Sequence, residues 1–156
     1  PNNKELLRWM KDEEVDLVVS FSAPCVFEKD LLELPTLGCI NLHCSLLPKF
    51  PGLLPSFWVL YEKEKIIGAT VHMMDTKIDN GGILGQVELK MPTPATMLSV
   101  INATKEAGGV LMASTVENLV KGEVNVTANN IPPKGYCSWP TVDQIKSFRR
   151  NGGRLI

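Results

Sequence analysis

The sequence carries little net charge, few cysteines and no long apolar run. Its 156 residues contain 16 Lys and Arg against 17 Asp and Glu, which gives a formal net charge of −1. This balance removes the simplest sign of a nucleic-acid-binding domain, a strongly basic composition, without excluding a local basic patch. No apolar run approaches the ~20 residues that span a bilayer. The opening residues also lack the apolar segment of a signal peptide.

The four cysteines, at positions 25, 39, 44 and 137, are irregularly spaced. This usage is typical of a reducing compartment, so we expect a cytoplasmic protein that needs no disulfide. Cys39, His43 and Cys44 do not have the spacing of zinc ligands, and no metal is expected. The hydrophobic content of 44% excludes a disordered chain, and the length suits one domain.

The first third of the chain alternates helical and strand patterns. Residues 4–13 have the apolar spacing of a helix, and residues 16–22 form a short apolar run typical of a buried strand. Residues 27–34 indicate a second helix, which Pro35 ends, and residues 38–43 indicate a second strand. This order indicates α/β architecture with a parallel sheet.

The rest of the chain adds three helices and two strands. Helices are predicted over 56–64, 96–121 and 141–150. Strands over 66–74 and 83–91 are expected to pair through the turn-rich loop between them, since 83–91 alternates apolar and polar residues.

The longest predicted helix has clear end signals and an unusual interior. Thr93 or Thr96 can cap its start, and Gly122 can end it. Gly108 and Gly109 lie inside it, and each lowers helix propensity by roughly 1 kcal/mol relative to alanine.

Asn41 and His43 end the second predicted strand. Side chains at i and i+2 of a strand leave the same face, so a carboxamide and an imidazole project together there. The carboxyl end of a parallel strand is where open α/β sheets place ligands. Each residue also has a plain interpretation: a hydrogen-bonded core histidine, and an asparagine at a strand end. Asp79, followed by Asn-Gly-Gly, is likewise ordinary turn chemistry when taken alone.

Taken together, these pieces resemble the formyltransferase family. The resemblance rests on Asn-x-His-x-Ser-Leu-Leu-Pro at 41–48, Gly52, Gly-x-Thr-Val-His at 68–72 and Asp-x-Gly-x-Ile at 79–83. It extends over about residues 4–121. The family includes methionyl-tRNA formyltransferase, glycinamide ribonucleotide transformylase, sugar-nucleotide N-formyltransferases and formyltetrahydrofolate deformylase.

The resemblance implies a Rossmann-like formyltransferase fold: α/β, with a mostly parallel sheet flanked by helices, of which this chain supplies the C-terminal portion. We expect the catalytic domain over residues 1–125 and a C-terminal extension over residues 126–156. In the family, early strands and a Gly-containing phosphate loop come first, and no Gly-x-Gly-x-x-Gly occurs here. We therefore expect a partial chain that folds poorly alone, forms a homodimer or is completed by further residues.

The implied activity is transfer of a formyl group from 10-formyltetrahydrofolate to an amine. Asn41, His43 and Asp79 fall on the family's catalytic residues. Asn41 and His43 would donate hydrogen bonds to the developing oxyanion, and His43 would relay the proton. A carboxylate such as Asp79 would raise the pKa of His43. No metal is needed.

Further site residues follow from the same resemblance. The folate-binding residues would be Ser22, Ala23, Val26, Met74, Asp75, Lys77 and Asp79. The substrate loop would comprise Ser45, Leu46, Leu47, Pro48 and Gly52. We interpret His72 as structural packing.

The acceptor stays open at this point. The loop at 46–52 is close to the glycinamide ribonucleotide transformylase version, whereas residues 55–58 resemble the methionyl-tRNA and sugar branches. An amino sugar nucleotide or methionyl-tRNA is therefore the expected acceptor. The alternatives are hydrolysis of formyltetrahydrofolate, a folate-binding domain without catalysis, and a Cys44 nucleophile beside His43.

Overall fold

The computed structural model describes residues 2–23, 25–132 and 135–156, which form one four-stranded sheet with flanking helices. The strands are β1 (Val18–Phe21), β2 (Cys39–His43), β3 (Ile66–Met73) and β4 (Ile83–Lys90). The helices are α1 (Lys4–Asp12), α2 (Lys29–Leu32), α3 (Pro55–Tyr61), α4 (Met97–Lys121) and α5 (Val142–Arg150). In these described ranges, no helix combines the length and hydropathy needed to cross a membrane.

The sheet confirms the α/β class, and its strand directions are mixed. The strands lie in the order β1-β2-β3-β4. β1 and β2 run parallel, whereas β2–β3 and β3–β4 are antiparallel. The predicted pairing of β3 with β4 is confirmed. Their short connection cannot form the crossover that a parallel pair needs, so this part of the sheet is antiparallel.

The main core lies between the middle of the sheet and α4. Its buried members come from β2, β3 and α4, and are Ile40, Leu42, Ala69, Val71 and Met112. β3 is buried at six successive positions, because it is central in the sheet and covered on both faces. β4 at the edge alternates between more and less exposed residues, as its sequence pattern predicts.

The predicted ends of α4 are confirmed. Thr96 is the N-cap, and its side chain forms a reciprocal capping box with Ser99. Gly122 ends the helix in the left-handed region at φ 72°. The shorter elements differ from prediction by at most two residues at their ends, except α3, which ends three residues earlier than predicted, at Tyr61.

The glycine pair inside α4 gives a matched stability test. A Cβ on Gly108 would lie within 3.1 Å of Ala69 Cβ and closer still to Leu42, whereas a Cβ on Gly109 would meet nothing within 4 Å. We expect Gly108→Ala to lower the free energy of unfolding by about 1–3 kcal/mol through overpacking. Gly109→Ala should raise it by about 0.5–1 kcal/mol through helix propensity. Urea denaturation of both variants checks this, and equal effects would contradict the packing role of Gly108.

Candidate active site

A cavity of about 670 Å³ opens where β1 and β2 end. Its walls come from the segment after β1, the end of β2, the loop into α3, the β3–β4 loop, α4 and residues 136–138. A cavity of this size suits a drug-sized ligand. Asn41, His43 and Asp79 all line it, so the structure brings the three predicted catalytic residues to one place.

His43 lies at the end of β2 and is only 6% exposed. Its Nε2 is 2.8 Å from the Phe50 carbonyl oxygen. A carbonyl oxygen only accepts, so Nε2 carries a hydrogen and donates it. Nδ1, 3.4 Å from Asp79 Oδ2, is therefore the nitrogen that can take up a further proton.

Two opposing effects act on the pKa of the His43 imidazole. Burial lowers the pKa of His43 below its ordinary value, while Asp79 and the Phe50 carbonyl act to raise it. The effect of Asp79 has the predicted direction, but burial outweighs it, and the pKa of His43 lies below its ordinary value.

Asp79 is held as an ionised carboxylate. Burial acts to raise its pKa, but contacts with His72 and His43 and the Gly52 N–H outweigh this, and the pKa lies below its ordinary value. The Gly52 N–H donates to Asp79 Oδ2 at 2.7 Å. The backbone of Asp79 lies in the left-handed region at φ 50°. Such a conformation is uncommon outside glycine and marks a constrained turn.

Asn41 and His72 form a second contact in the same cluster. They are directly opposite in the β2–β3 register, and their Nδ2 and Nε2 atoms lie 3.2 Å apart. His72 Nδ1 donates to the Met73 carbonyl oxygen at 2.7 Å, so Nε2 can accept from Asn41. Nε2 is also 3.5 Å from Asp79 Oδ1. His72 is buried, as a packing residue would be, but it also links two candidate catalytic side chains, which the sequence pattern does not reveal.

The residues that we predict to bind folate all line the cavity and come from the segment after β1 and the β3–β4 loop. They are Ser22, Ala23, Val26, Met74, Asp75, Lys77 and Asp79. The Asp75 carboxylate accepts hydrogen bonds from the Lys77 N–H at 2.7 Å and from Asn80 Nδ2 at 2.9 Å. Asp75 therefore also organises the turn that precedes Asp79.

The predicted substrate loop lies only in part along the cavity. Gly52 lines the cavity, but Ser45, Leu46, Leu47 and Pro48 do not. The start of this loop is tied to β3 instead: Thr70 Oγ1 donates to the Ser45 carbonyl at 2.7 Å and accepts from the Leu47 N–H at 3.0 Å. Residues 53–56, which follow Gly52, line the cavity in their place.

Part of the cavity wall comes from a distant segment near the C-terminus. Tyr136, Cys137 and Ser138 line the cavity although they lie far along the chain from His43. Burial raises the pKa of Tyr136, and the nearby charges of Asp79 and Asp75 add to this effect. No local sequence pattern marks these residues, because they reach the site only through the fold.

Cys44 lines the cavity next to His43 but is poorly suited to act as a nucleophile. Burial raises the pKa of its thiol, and Thr104 and Lys105 offset this only in part. The reactive form is the thiolate, which a raised pKa disfavours. Among the described residues, no group of three His, Cys, Asp or Glu side chains is arranged to hold a metal ion.

The fold and the cluster define an α/β protein with a cavity lined by titratable side chains where its parallel strands end. The His43 imidazole, the Asp79 carboxylate and the Asn41 carboxamide all line one cavity. The chain belongs to the formyl transferase family, whose sequence model matches residues 2–116.

Individual relatives agree with this family. The chain is 32% identical over 129 residues to methionyl-tRNA formyltransferase of Clostridium perfringens strain SM101, covering 83% of this chain and 42% of that protein. A sugar N-formyltransferase from Shewanella sp. FDAARGOS_354 superposes with a TM-score of 0.73 at 25% identity, covering 94% of this chain and 56% of the other.

A third similar structure is the formyltransferase PseJ from Anoxybacillus kamchatkensis, in complex with UDP-4,6-dideoxy-4-formamido-L-AltNAc and tetrahydrofolate. Its TM-score is 0.72 at 22% identity, with 96% of this chain and 87% of the other covered. This similarity concerns the fold. The chain spans about two fifths of the length of the methionyl-tRNA formyltransferase that it matches.

Proposed function

We propose that this chain carries the formyl-transfer site of an enzyme that moves a formyl group from 10-formyltetrahydrofolate to a primary amine. The observation that carries the proposal is the meeting of Asn41, His43 and Asp79 in one cavity, with His43 Nδ1 3.4 Å from Asp79 Oδ2. Membership of the formyl transferase family supports it.

The cavity fits the proposed donor. Apolar side chains line part of the cavity, among them Val26 and Met74, and they suit the flat face of a fused ring. Polar groups converge at the base, where the formyl group would lie. 10-Formyltetrahydrofolate, when bound, supplies the activated formyl carbon.

Each catalytic side chain has one task in this proposal. The Asn41 carboxamide, which His72 holds through one N–H, has a second N–H that would donate to the developing oxyanion. His43 Nδ1 takes the proton that the attacking amine must lose. Asp79 stabilises the imidazolium that then forms, because its carboxylate lies next to that nitrogen. The proton returns from Nδ1 to the departing nitrogen, so protons balance over the reaction.

The proposal also extends to the molecule whose amine accepts the formyl group. An amino sugar nucleotide or methionyl-tRNA is proposed, because relatives with either kind of name share this part of the fold. Lys105 lines the cavity and is exposed, and its positive charge would favour an anionic acceptor.

The proposal is tested by incubating the full-length protein with 10-formyltetrahydrofolate and each candidate amine. Absorbance reports the tetrahydrofolate released, and mass spectrometry reports the formylated amine. A formylated product supports the proposal. Free formate without a formylated amine indicates hydrolysis instead, and binding of the folate with no turnover indicates a binding domain.

A further inference from the structure

The Asp79 turn needs external support. Asp79 adopts a left-handed backbone at φ 50° without being glycine. Its carboxylate must nevertheless face both His43 Nδ1 and the Gly52 N–H, at 3.4 Å and 2.7 Å. A turn that is intrinsically unfavourable persists only where its surroundings hold it.

Asn129 contacts this turn from beyond residues 2–116, the part of the chain that the family model matches. Its Nδ2 donates to the Asp79 carbonyl oxygen at 2.7 Å and to the Gly81 carbonyl oxygen at 3.1 Å. Its Oδ1 is buried and has no hydrogen-bond partner among the described residues. The two donated bonds are therefore the polar contacts that this side chain makes in the described structure.

The backbone beside Asn129 is itself fixed to the sheet. Thr127 and Ile83 exchange two backbone hydrogen bonds of 2.8 Å, which form an antiparallel bridge at the start of β4. Asn129 therefore approaches the Asp79 turn from a fixed position.

The same C-terminal segment also binds the loop that carries Gly52, the residue whose N–H donates to the Asp79 carboxylate. The Cys137 N–H donates to the Pro51 carbonyl at 2.7 Å, and the Leu53 N–H donates to the Cys137 carbonyl at 2.8 Å. These bonds flank Gly52, whose N–H binds the Asp79 carboxylate. The C-terminal segment thus contacts both the turn that carries Asp79 and the loop that receives it.

We propose that Asn129 is a positioning residue that holds the Asp79 turn in the geometry needed for the Asp79–His43 pair. This inference rests on the proposed function for its kinetic consequence, but its structural consequence is measurable without turnover. The charged or titratable groups that face His43 are Asp79, which raises its pKa, and His72, which lowers it. His72, His43 and Tyr136 also face Asp79.

The test compares Asn129→Ala with Asn130→Ala in the full-length protein. Asn130 is the neighbouring asparagine, is exposed and makes no side-chain hydrogen bond within the described residues, so it is a matched control. In Asn129→Ala, NMR titration should show the His43 pKa falling, because the carboxylate that raises it is no longer held in place. The kcat should fall by about 100-fold, with KM for donor and amine little changed. Asn130→Ala should match wild type in both measurements.

The outcomes separate this inference from the proposed function. If wild-type protein forms no formylated amine, the proposed function fails, and the NMR titration still decides the role of Asn129. If the His43 pKa in Asn129→Ala equals that in Asn130→Ala, the inference is wrong whatever the activity. Should Asn129→Ala not fold, Asn129→Gln keeps the amide donor but displaces it, and an unchanged His43 pKa there contradicts the proposal.

Discussion

His43→Ala is expected to lower kcat for formyl transfer by about 1,000-fold, the middle of the range for loss of a general acid–base catalyst. The variant removes Nδ1, the nitrogen that can take up a proton beside Asp79. The fold should survive, because the imidazole makes one hydrogen bond, to the Phe50 carbonyl, and His43 is not a member of the hydrophobic core clusters. Single-turnover rates of formylated product measure the effect, and the melting temperature confirms that the protein is folded.

Cys44→Ser is the matched control for this experiment. Cys44 is the next residue in the chain and lines the same cavity, and burial raises the pKa of its thiol. We expect Cys44→Ser to keep wild-type turnover within a small factor. Loss of activity in Cys44→Ser together with retained activity in His43→Ala would favour the cysteine nucleophile and overturn the role proposed for His43.

Asp79→Asn is expected to lower kcat by about 100-fold and to move the titration of His43. Asp79 raises the pKa of His43 through its negative charge. Removing that charge while burial stays the same must lower the His43 pKa further, so the limb of the pH–rate profile that reports His43 moves to lower pH. NMR titration of the imidazole measures the same shift in the absence of substrate.

Asp75→Asn separates the specific pair from general charge in the cavity. Asp75 lines the same cavity, but its carboxylate is bound within its own turn by the Lys77 N–H and Asn80. It is not among the groups that shift the pKa of His43. We expect Asp75→Asn to leave the His43 pKa unchanged. Equal shifts from Asp75→Asn and Asp79→Asn would show that His43 senses only the total charge of the cavity.

Local patterns predicted most of the secondary structure. The helix over Met97–Lys121 follows from its apolar spacing, its Thr96 cap and Gly122, which all act within one or two turns. The β3–β4 pair follows from the alternation in β4 and a connection too short for a crossover. The antiparallel pairing of β2 with β3 was not predicted, since strand direction depends on how the intervening α3 segment packs.

The candidate site also has features that the sequence predicts and features that only the tertiary structure shows. Asn41 and His43 are predictable as neighbours because alternate residues of a strand share a face, and the family motif added Asp79. The contact between His43 and Asp79 is tertiary, and so are the contacts of Asp79 with His72 and Asn129. The depressed pKa of His43 also needed the structure, because burial outweighs the predicted effect of the carboxylate.

Residue order along the chain was thus enough to indicate an α/β domain, the formyl transferase resemblance and the three residues proposed for chemistry. The fold alone decided that Asn129 and Cys137 reach back to the Asp79 turn and the Gly52 loop, and that residues 45–48 do not line the cavity. The physical reason is the separation along the chain between the residues that interact. Caps, alternation and turns act between residues a few positions apart, whereas Asn129 and Asp79 are 50 positions apart and meet only when the chain is packed.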